Sequence, residues 1–157
     1  MASIAKFDEW QNSAGTKFGT VLQVVQQSYD NQVSTTLTNT WIDGPGTATI
    51  TPKSASNKIL VIISYSTLIA TSAGVTESHN VIVRGSTVIG AASGSKQSSD
   101  YTGCWNTVFI TNLDSPATTS AVTYKMQFRK VNGNGTVYVN TGEAGGGFRI
   151  TLMEIQA

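Results

Sequence analysis

The stretch from Lys58 to Ala70 constrains the fold most, because apolar residues occupy both sides of a period-two pattern. Alternate residues of a strand point to opposite faces of a sheet. One face carries a long apolar set: Ile59, Val61, Ile63, Tyr65 and Ile69. The other face carries Leu60, Ile62 and Leu68. An antiparallel sheet commonly packs one face on a core and leaves the other to water. We therefore expect Leu60, Ile62 and Leu68 to form a subunit interface.

The same period recurs between turn signals along most of the chain. The further segments predicted to be strands are residues 20–26, 33–41, 47–51, 78–84, 87–90, 105–113, 121–131, 136–139 and 148–155. Asp43 to Gly46 is predicted to form a turn, and Asn132 to Gly135 a hairpin turn. Residues 91–103 are predicted to be a polar loop, and Trp41 is expected in the core. The fold class is all-β, a single β-sandwich or jelly-roll domain of about nine or ten short antiparallel strands.

Residues 1–18 differ from this pattern and carry four large apolar side chains, Ile4, Phe7, Trp10 and Phe18. The spacing of three places Ile4, Phe7 and Trp10 on one side of a single helical turn. Such a turn is too short to be stable alone in water. Two interpretations stay open: an arm that orders against a partner, or a terminus packed on its own domain. We divide the chain into an attachment arm, 1–18, and a β domain, 19–157.

Composition excludes several classes of partner. Charged residues make up 12% of the chain and the formal net charge is +1, with no lysine or arginine cluster to follow a phosphate backbone. Nucleic acid is therefore not an expected partner. The longest apolar run, Ile59 to Ile63, is too short to cross a membrane, and the N-terminus lacks the apolar stretch of a signal peptide. Cys104 is the one cysteine, so no internal disulfide is possible.

No catalytic, metal or cofactor motif is present, and we expect no enzymatic activity and no cofactor. The single histidine, His79, lies two residues after Glu77, and no third metal ligand is indicated. Carboxylates such as Asp43 and Asp114 sit beside predicted turns, where capping is the simplest role. Tyr101 and Trp105 border the polar segment 91–103 and are the candidate receptor contacts, because aromatic rings stack on sugars.

Three segments point to a known kind of domain. They are residues 19–25 (GTVLQVV), residues 50–61 (ITPKSASNKILV) and residues 150–155 (ITLMEI). Their order and spacing resemble a domain found in many tail-fibre and other virion proteins of tailed bacteriophages, including phages of cyanobacteria. The resemblance covers the chain from about Gly19 to the C-terminus. It implies a compact, trimeric β knob on the exterior of a virion, made in the host cytoplasm.

Within that resemblance, two roles stay open. Fibre proteins usually carry this domain after a long shaft, whereas only residues 1–18 precede it here. This favours a homotrimeric head-decoration, or cement, protein that stabilises the capsid. Its partners would be copies of itself and the major capsid protein, with the arm inserted into the shell or swapped between subunits. The alternative is a short tail fibre or receptor-binding knob, attached to a tail component and recognising a host surface glycan.

Overall fold

The computed structural model of the chain describes residues 19–70, 75–90, 93–97, 103–141 and 147–157. These residues form strands and connecting segments and no helix, which confirms the all-β prediction. The described strands are β1 (Val21–Tyr29), β2 (Val33–Thr35), β3 (Ile42–Ile50), β4 (Lys58–Ala70), β5 (Thr76–Arg84), β6 (Thr87–Val88), β7 (Ser93–Gln97), β8 (Cys104–Asp114), β9 (Val122–Asn132), β10 (Thr136–Val139) and β11 (Phe148–Ile155).

The strands form two antiparallel sheets, each four columns wide. The first sheet runs from β8 through β4 to β11 and β10, which lie end to end, and then to β1 and β2. The second sheet runs from β3 through β9 and β5 to β6 and β7, which also lie end to end. The column orders β1–β11–β4–β8 in the first sheet and β3–β9–β5–β6 in the second are the two-Greek-key order of a jelly roll. The predicted fold class is therefore confirmed.

Strand β4 lies in the middle of the first sheet and has neighbours along both edges. Strand β8 pairs with it from Ile59 to Ile69, and β11 and β10 share its other edge. Its apolar alternation therefore meets two different environments. The odd-numbered residues point between the sheets, where Ile59, Val61 and Ile63 are fully buried.

The core fills the space between the two sheets. From the second sheet, β9 contributes Tyr124, Met126 and Phe128, each buried and each at an alternate position of the strand. From the first sheet, β11 contributes Ile150 and Leu152 to the same cluster. This two-layer packing is what the period-two pattern of β9 and β11 predicts.

Residues 43–46 do not form the predicted turn. They lie inside β3, where the pairing with β9 jumps from Asp43 to Thr47 while β9 advances only from Gln127 to Lys125. Such an irregularity tolerates Pro45, because a residue outside the ladder needs no backbone N–H. A side chain at Gly46 would collide with the ring of Tyr29. The glycine and proline residues that suggested a turn therefore form a β-bulge that packs under this ring.

The Asn132–Gly135 segment turns the chain but does not close a hairpin. Strand β9 belongs to the second sheet and β10 to the first, so the two strands it joins do not pair. Gly133 takes a positive φ of 86°, and the N–H of Gly135 donates to Thr76 Oγ1 at 2.9 Å. The prediction of a turn was right, and the prediction of a hairpin was wrong.

Two further boundaries differ from the prediction. The segment predicted as a strand over 33–41 forms a strand only to Thr35; beyond it Thr38 makes an isolated bridge to Lys130, and Asn39 takes a positive φ of 57°. Part of the predicted polar loop 91–103 forms β7, which pairs with β5 over Thr76–Asn80. This strand accounts for the count of eleven against the predicted nine or ten.

A buried carboxylate ties the start and end of the first sheet together. Glu154, on β11, is fully buried and accepts hydrogen bonds from Asn57 Nδ2 at 2.6 Å, Gln23 Nε2 at 2.6 Å and the backbone N–H of Lys53 at 2.7 Å. Burial raises the pKa of the Glu154 carboxyl, but these hydrogen bonds outweigh it and hold that pKa below the usual 4.5. The carboxylate is therefore a structural anchor.

Replacing Glu154 by Gln is expected to lower the free energy of unfolding by about 2–4 kcal/mol near neutral pH, because an amide cannot accept from every donor around it. The folded pKa lies below 4.5. The contribution of Glu154 is therefore complete above that value and is lost as the pH falls through the lower folded pKa. Urea denaturation over a series of acidic pH values measures it. Asp30→Asn, at an exposed position, is the control, and an equal loss in that control would contradict the assignment.

Candidate functional site

The outer face of β4 is apolar, and among the residues that the structure describes no strand lies above it. Leu60, Ile62 and Leu68 point away from the core and are half-buried between neighbouring columns. They lie on one face of the first sheet, as the sequence predicts. Their role as a subunit interface remains a proposal.

Strand β8 extends this face to the edge of the sheet. Its outward side chains alternate between large apolar residues and threonine: Trp105, Thr107, Phe109, Thr111 and Leu113. Phe109 is 68% exposed, and Trp105 and Leu113 are each 51% exposed. Large apolar side chains this exposed and this close together mark a contact surface more often than a solvated one.

The strand register aligns these side chains in rows across the sheet. One row crosses all four columns with apolar residues only: Val24, Met153, Leu60 and Leu113. At the other end of β4, a second row holds Ser34, Tyr138, Leu68 and Trp105. Between them run the row of Gln26, Thr151, Ile62 and Thr111 and the row of Ser28, Arg149, Ser64 and Phe109. We call the side chains of these four rows the outer apolar face.

The outer face of the second sheet is polar by comparison. Asp43 accepts hydrogen bonds from Lys125 Nζ and Gln127 Nε2, both at 2.8 Å, and these bonds lower the pKa of Asp43. Glu77 Oε1 lies 3.1 Å from His79 Nε2. Charged and amide side chains paired across strands are what a water-facing sheet displays. The outer apolar face carries a single charged residue, Arg149.

Trp41 does not lie in the core, contrary to the prediction. It is half-buried on the polar face of the second sheet, and the guanidinium carbon of Arg129 sits 4.6 Å above its ring centroid. The contact is a cation–π interaction that covers one side of the indole. The alternation of 33–41 suggested a strand directed at the core, but the strand ends before Trp41.

Asp114 caps no turn, contrary to the prediction, and is instead a buried acceptor between the sheets. It accepts from Arg84 Nη1 at 2.7 Å and from the hydroxyl of Tyr124 at 2.8 Å. Burial first, and the neighbouring carboxylate second, raise the pKa of Tyr124. The cluster joins β8 to the second sheet, and sequence reasoning missed it because its members are far apart in the chain.

The described residues contain no group of three or more metal-ligating side chains. Glu77 and His79 are in contact, but no third residue that could bind a metal lies with them in the described part of the chain. Cys104 is a free, half-buried thiol at the start of β8. No helix in the described ranges is long and apolar enough to span a membrane.

The structure brings together residues that the sequence assigned to different roles. Trp105, predicted to contact a receptor, shares a row with Leu68, predicted to contact a sister subunit. Sequence reasoning missed Phe109 and Leu113, although the period-two pattern of 105–113 contains the signal for both. Tyr101 and the arm residues Ile4, Phe7, Trp10 and Phe18 lie outside the described residues.

No protein-family model matches the chain, and no curated protein matches it. Among solved structures, latent dimeric PorU from Porphyromonas gingivalis aligns with a TM-score of 0.47 and 11% identity, over 93% of this chain and 14% of that one. A structure of the infectious bursal disease virus Gx strain aligns with a TM-score of 0.46 and 10% identity, over 99% of this chain and 45% of that one. The T13 particle of the same virus gives 0.46 and 13%, over 99% and 41%. The chain thus spans less than half of each of these proteins.

Neighbouring residues of β8 give a direct test of which face is the core. Phe109→Ser is expected to change the free energy of unfolding by less than about 0.5 kcal/mol, because the ring is exposed in the single chain. Ile110→Ala is expected to cost about 2–4 kcal/mol, because Ile110 belongs to the core cluster. Urea denaturation of dilute protein measures both, and a large loss for Phe109→Ser would contradict the described orientation of β8.

Proposed function

We propose that the chain is a non-enzymatic structural protein on the exterior of a phage virion, a homotrimeric head-decoration protein that stabilises the capsid. The observation that carries the proposal is the outer apolar face, which no part of the chain described by the structure covers. The resemblance of residues 19–25, 50–61 and 150–155 to virion proteins of tailed phages supports the setting. In this role the face packs against sister subunits, with Leu60, Ile62 and Leu68 at the interface.

The size of the face suits a subunit contact. Strands of eleven residues in four columns give a sheet face of about 37 by 19 Å, or about 700 Å². A standard protein interface buries about 800 Å² on each partner. The face is therefore large enough for a stable contact. Among the side chains of its four rows, Arg149 is the one that carries a charge. A small ligand would use only a fraction of the face.

The driving force for such a contact is burial of apolar surface. Phe109, Trp105, Leu113 and Val24 are each more than half exposed in the single chain, and covering them removes that area from water at about 25 cal/mol per Å². Thr111 and Gln26 lie between the apolar rows and can form hydrogen bonds across the contact. Arg149 is the position where a partner carboxylate or carbonyl would be needed.

A second candidate function is a short tail-fibre or receptor-binding knob that recognises a host surface glycan. The observation that favours it is the row containing Trp105 and Tyr138, in which a half-exposed indole and a second aromatic residue lie on either side of Leu68. Aromatic faces stack on sugars, and Ser34 in the same row offers a hydroxyl. The two functions compete for the same surface, because a face buried between subunits is closed to a glycan.

Ile62→Glu is expected to convert the trimer to a monomer at micromolar concentration, because it places a charge in the centre of a buried apolar contact. Multi-angle light scattering measures the mass directly. Thr123→Glu is the matched control, since Thr123 is exposed on the outer face of the second sheet and should leave the mass unchanged. A wild-type chain that stays monomeric at that concentration, or an Ile62→Glu chain that stays trimeric, would refute the interface.

Copy number on the particle separates the two candidate functions. A head-decoration protein is expected in hundreds of copies per virion, and a tail protein in a few dozen at most, because a head offers many more equivalent positions than a tail. Quantitative mass spectrometry of purified virions measures this number. Trp105→Ala gives the complementary test: loss of binding to host polysaccharide would favour the knob, and unchanged binding would count against it.

A further inference from the structure

A cavity lies beside the edge of β8 that no described strand pairs with, and it shares Phe109 and Thr111 with the outer apolar face. It has a volume of about 270 Å³ and is lined by Asn80, Val81, Ile82, Ile89, Gly90, Phe109, Ile110, Thr111 and Asn112. The buried side chains of Ile82, Ile89 and Ile110 form its apolar part. An apolar cavity of about 150 Å³ can hold a benzene ring, so this one has room for a larger aromatic side chain.

The lining shows that the cavity is bounded by the edges of two strands. Residues 109–112 are consecutive in β8, and residues 80–82 are consecutive in β5. Consecutive side chains of a strand point to opposite faces, so a cavity that touches all of them meets the strand edge, where backbone N–H and C=O groups lie. On the second sheet, β7 pairs with β5 up to Asn80, β6 pairs from Val83, and the N–H of Ile89 donates to the carbonyl of Ile82 at 2.9 Å, so among the described strands the unpaired edge beside the cavity is that of β8.

Strand β8 carries none of the usual protection against pairing with another strand. It is eleven residues long and pairs with β4 without a register shift. It contains no proline or glycine, and its one charged residue, Asp114, is held by Arg84 and Tyr124. Within the described residues no strand pairs with its second edge. A long, regular and apolar edge of this kind is a template for strand addition.

Residues 1–18 have the composition and length to occupy this edge. They carry Ile4, Phe7, Trp10 and Phe18, and their two lysines balance one aspartate and one glutamate. The cavity lining is likewise without charge. An extended segment of eighteen residues spans about 60 Å, whereas the first sheet is about 15–20 Å wide at four columns.

The place where the segment joins the domain favours exchange between copies. Gly19 lies beside Ile155 at the β1 side of the first sheet, which is the edge opposite β8. From there, reaching β8 of its own copy requires crossing the whole width of the sheet, whereas exchange requires only that a second copy place its β8 beside this edge. We propose that residues 1–18 of one copy do not form the helical turn that their spacing allows but add as an extended strand to the free edge of β8 in a second copy, with Trp10 in the cavity. The proposal deepens, and rests on, the self-associating function proposed above.

A peptide-binding experiment tests this exchange. The acceptor is the full chain carrying Phe7→Ala and Trp10→Ala, so that its own arm lacks the anchoring rings. The probe is a fluorescently labelled synthetic peptide of residues 1–18, and anisotropy measures its binding. The peptide is expected to bind this acceptor and to bind about tenfold more weakly to the wild-type chain, whose own arms compete for the same edge. Absence of binding to the acceptor at about 100 μM overturns the proposal.

Variants of the acceptor locate the bound peptide. Asn112→Trp fills the mouth of the cavity and is expected to weaken binding at least about tenfold, whereas Thr123→Trp, at an exposed position on the outer face of the second sheet, should leave it unchanged. Ile62→Glu should not affect peptide binding, so loss of the trimer and loss of arm binding are separate results. Weakening by Ile62→Glu alone would place the arm on the outer apolar face and overturn the proposal.

Discussion

A strand in a sheet has two edges and two faces. In β4, both edges and one face are in contact with other parts of the same chain. Its edges pair with β8 on one side and with β11 and β10 on the other, and its inward face packs against the second sheet. The outward face, with Leu60, Ile62 and Leu68, is what remains. Nothing in the described fold returns to cover it, because every strand is already committed to one of the two sheets. The jelly-roll topology thus buries the inward faces of both sheets in one core, and the outward face of β4 has no second layer of described strands to pack against.

The second sheet shows what a solvated face of this protein looks like. There, Lys125, Gln127 and Asp43 hold one another across two strands, and Arg129 covers the ring of Trp41. A chain in which only 12% of residues are charged has few such groups to place. It places several of them on this face, whereas the four rows of the outer apolar face hold only Arg149, with Lys58 at the end of β4 beyond them. The asymmetry between the two faces, rather than overall hydrophobicity, is what separates a contact surface from a wetted one.

Period-two alternation was enough to predict β4, β10 and β11 to the residue and to assign the inward face of β9, since each is a local pattern on a regular strand. The prediction from composition was wrong at Asp43 to Gly46, because the same residue types occur in β-bulges and in turns. The Asn132–Gly135 turn could be predicted, but whether its flanking strands pair depends on the sheet each one joins. The candidate face was found through Leu60, Ile62 and Leu68. Its continuation through β8 was missed because register between strands is set by the whole sheet.

An apolar face and an open strand edge contribute different things to assembly. Burial of apolar surface is favourable but not directional, so rows of leucine, valine and phenylalanine alone would allow copies to slide against one another. Backbone pairing at an edge is directional, and a shift of one residue turns every side chain of the added strand to the opposite face. In the first sheet, β8 carries both features, with Phe109 and Leu113 on its face and the cavity along its edge. Affinity from the face and register from the edge together would define a single arrangement of subunits, which neither feature could specify alone.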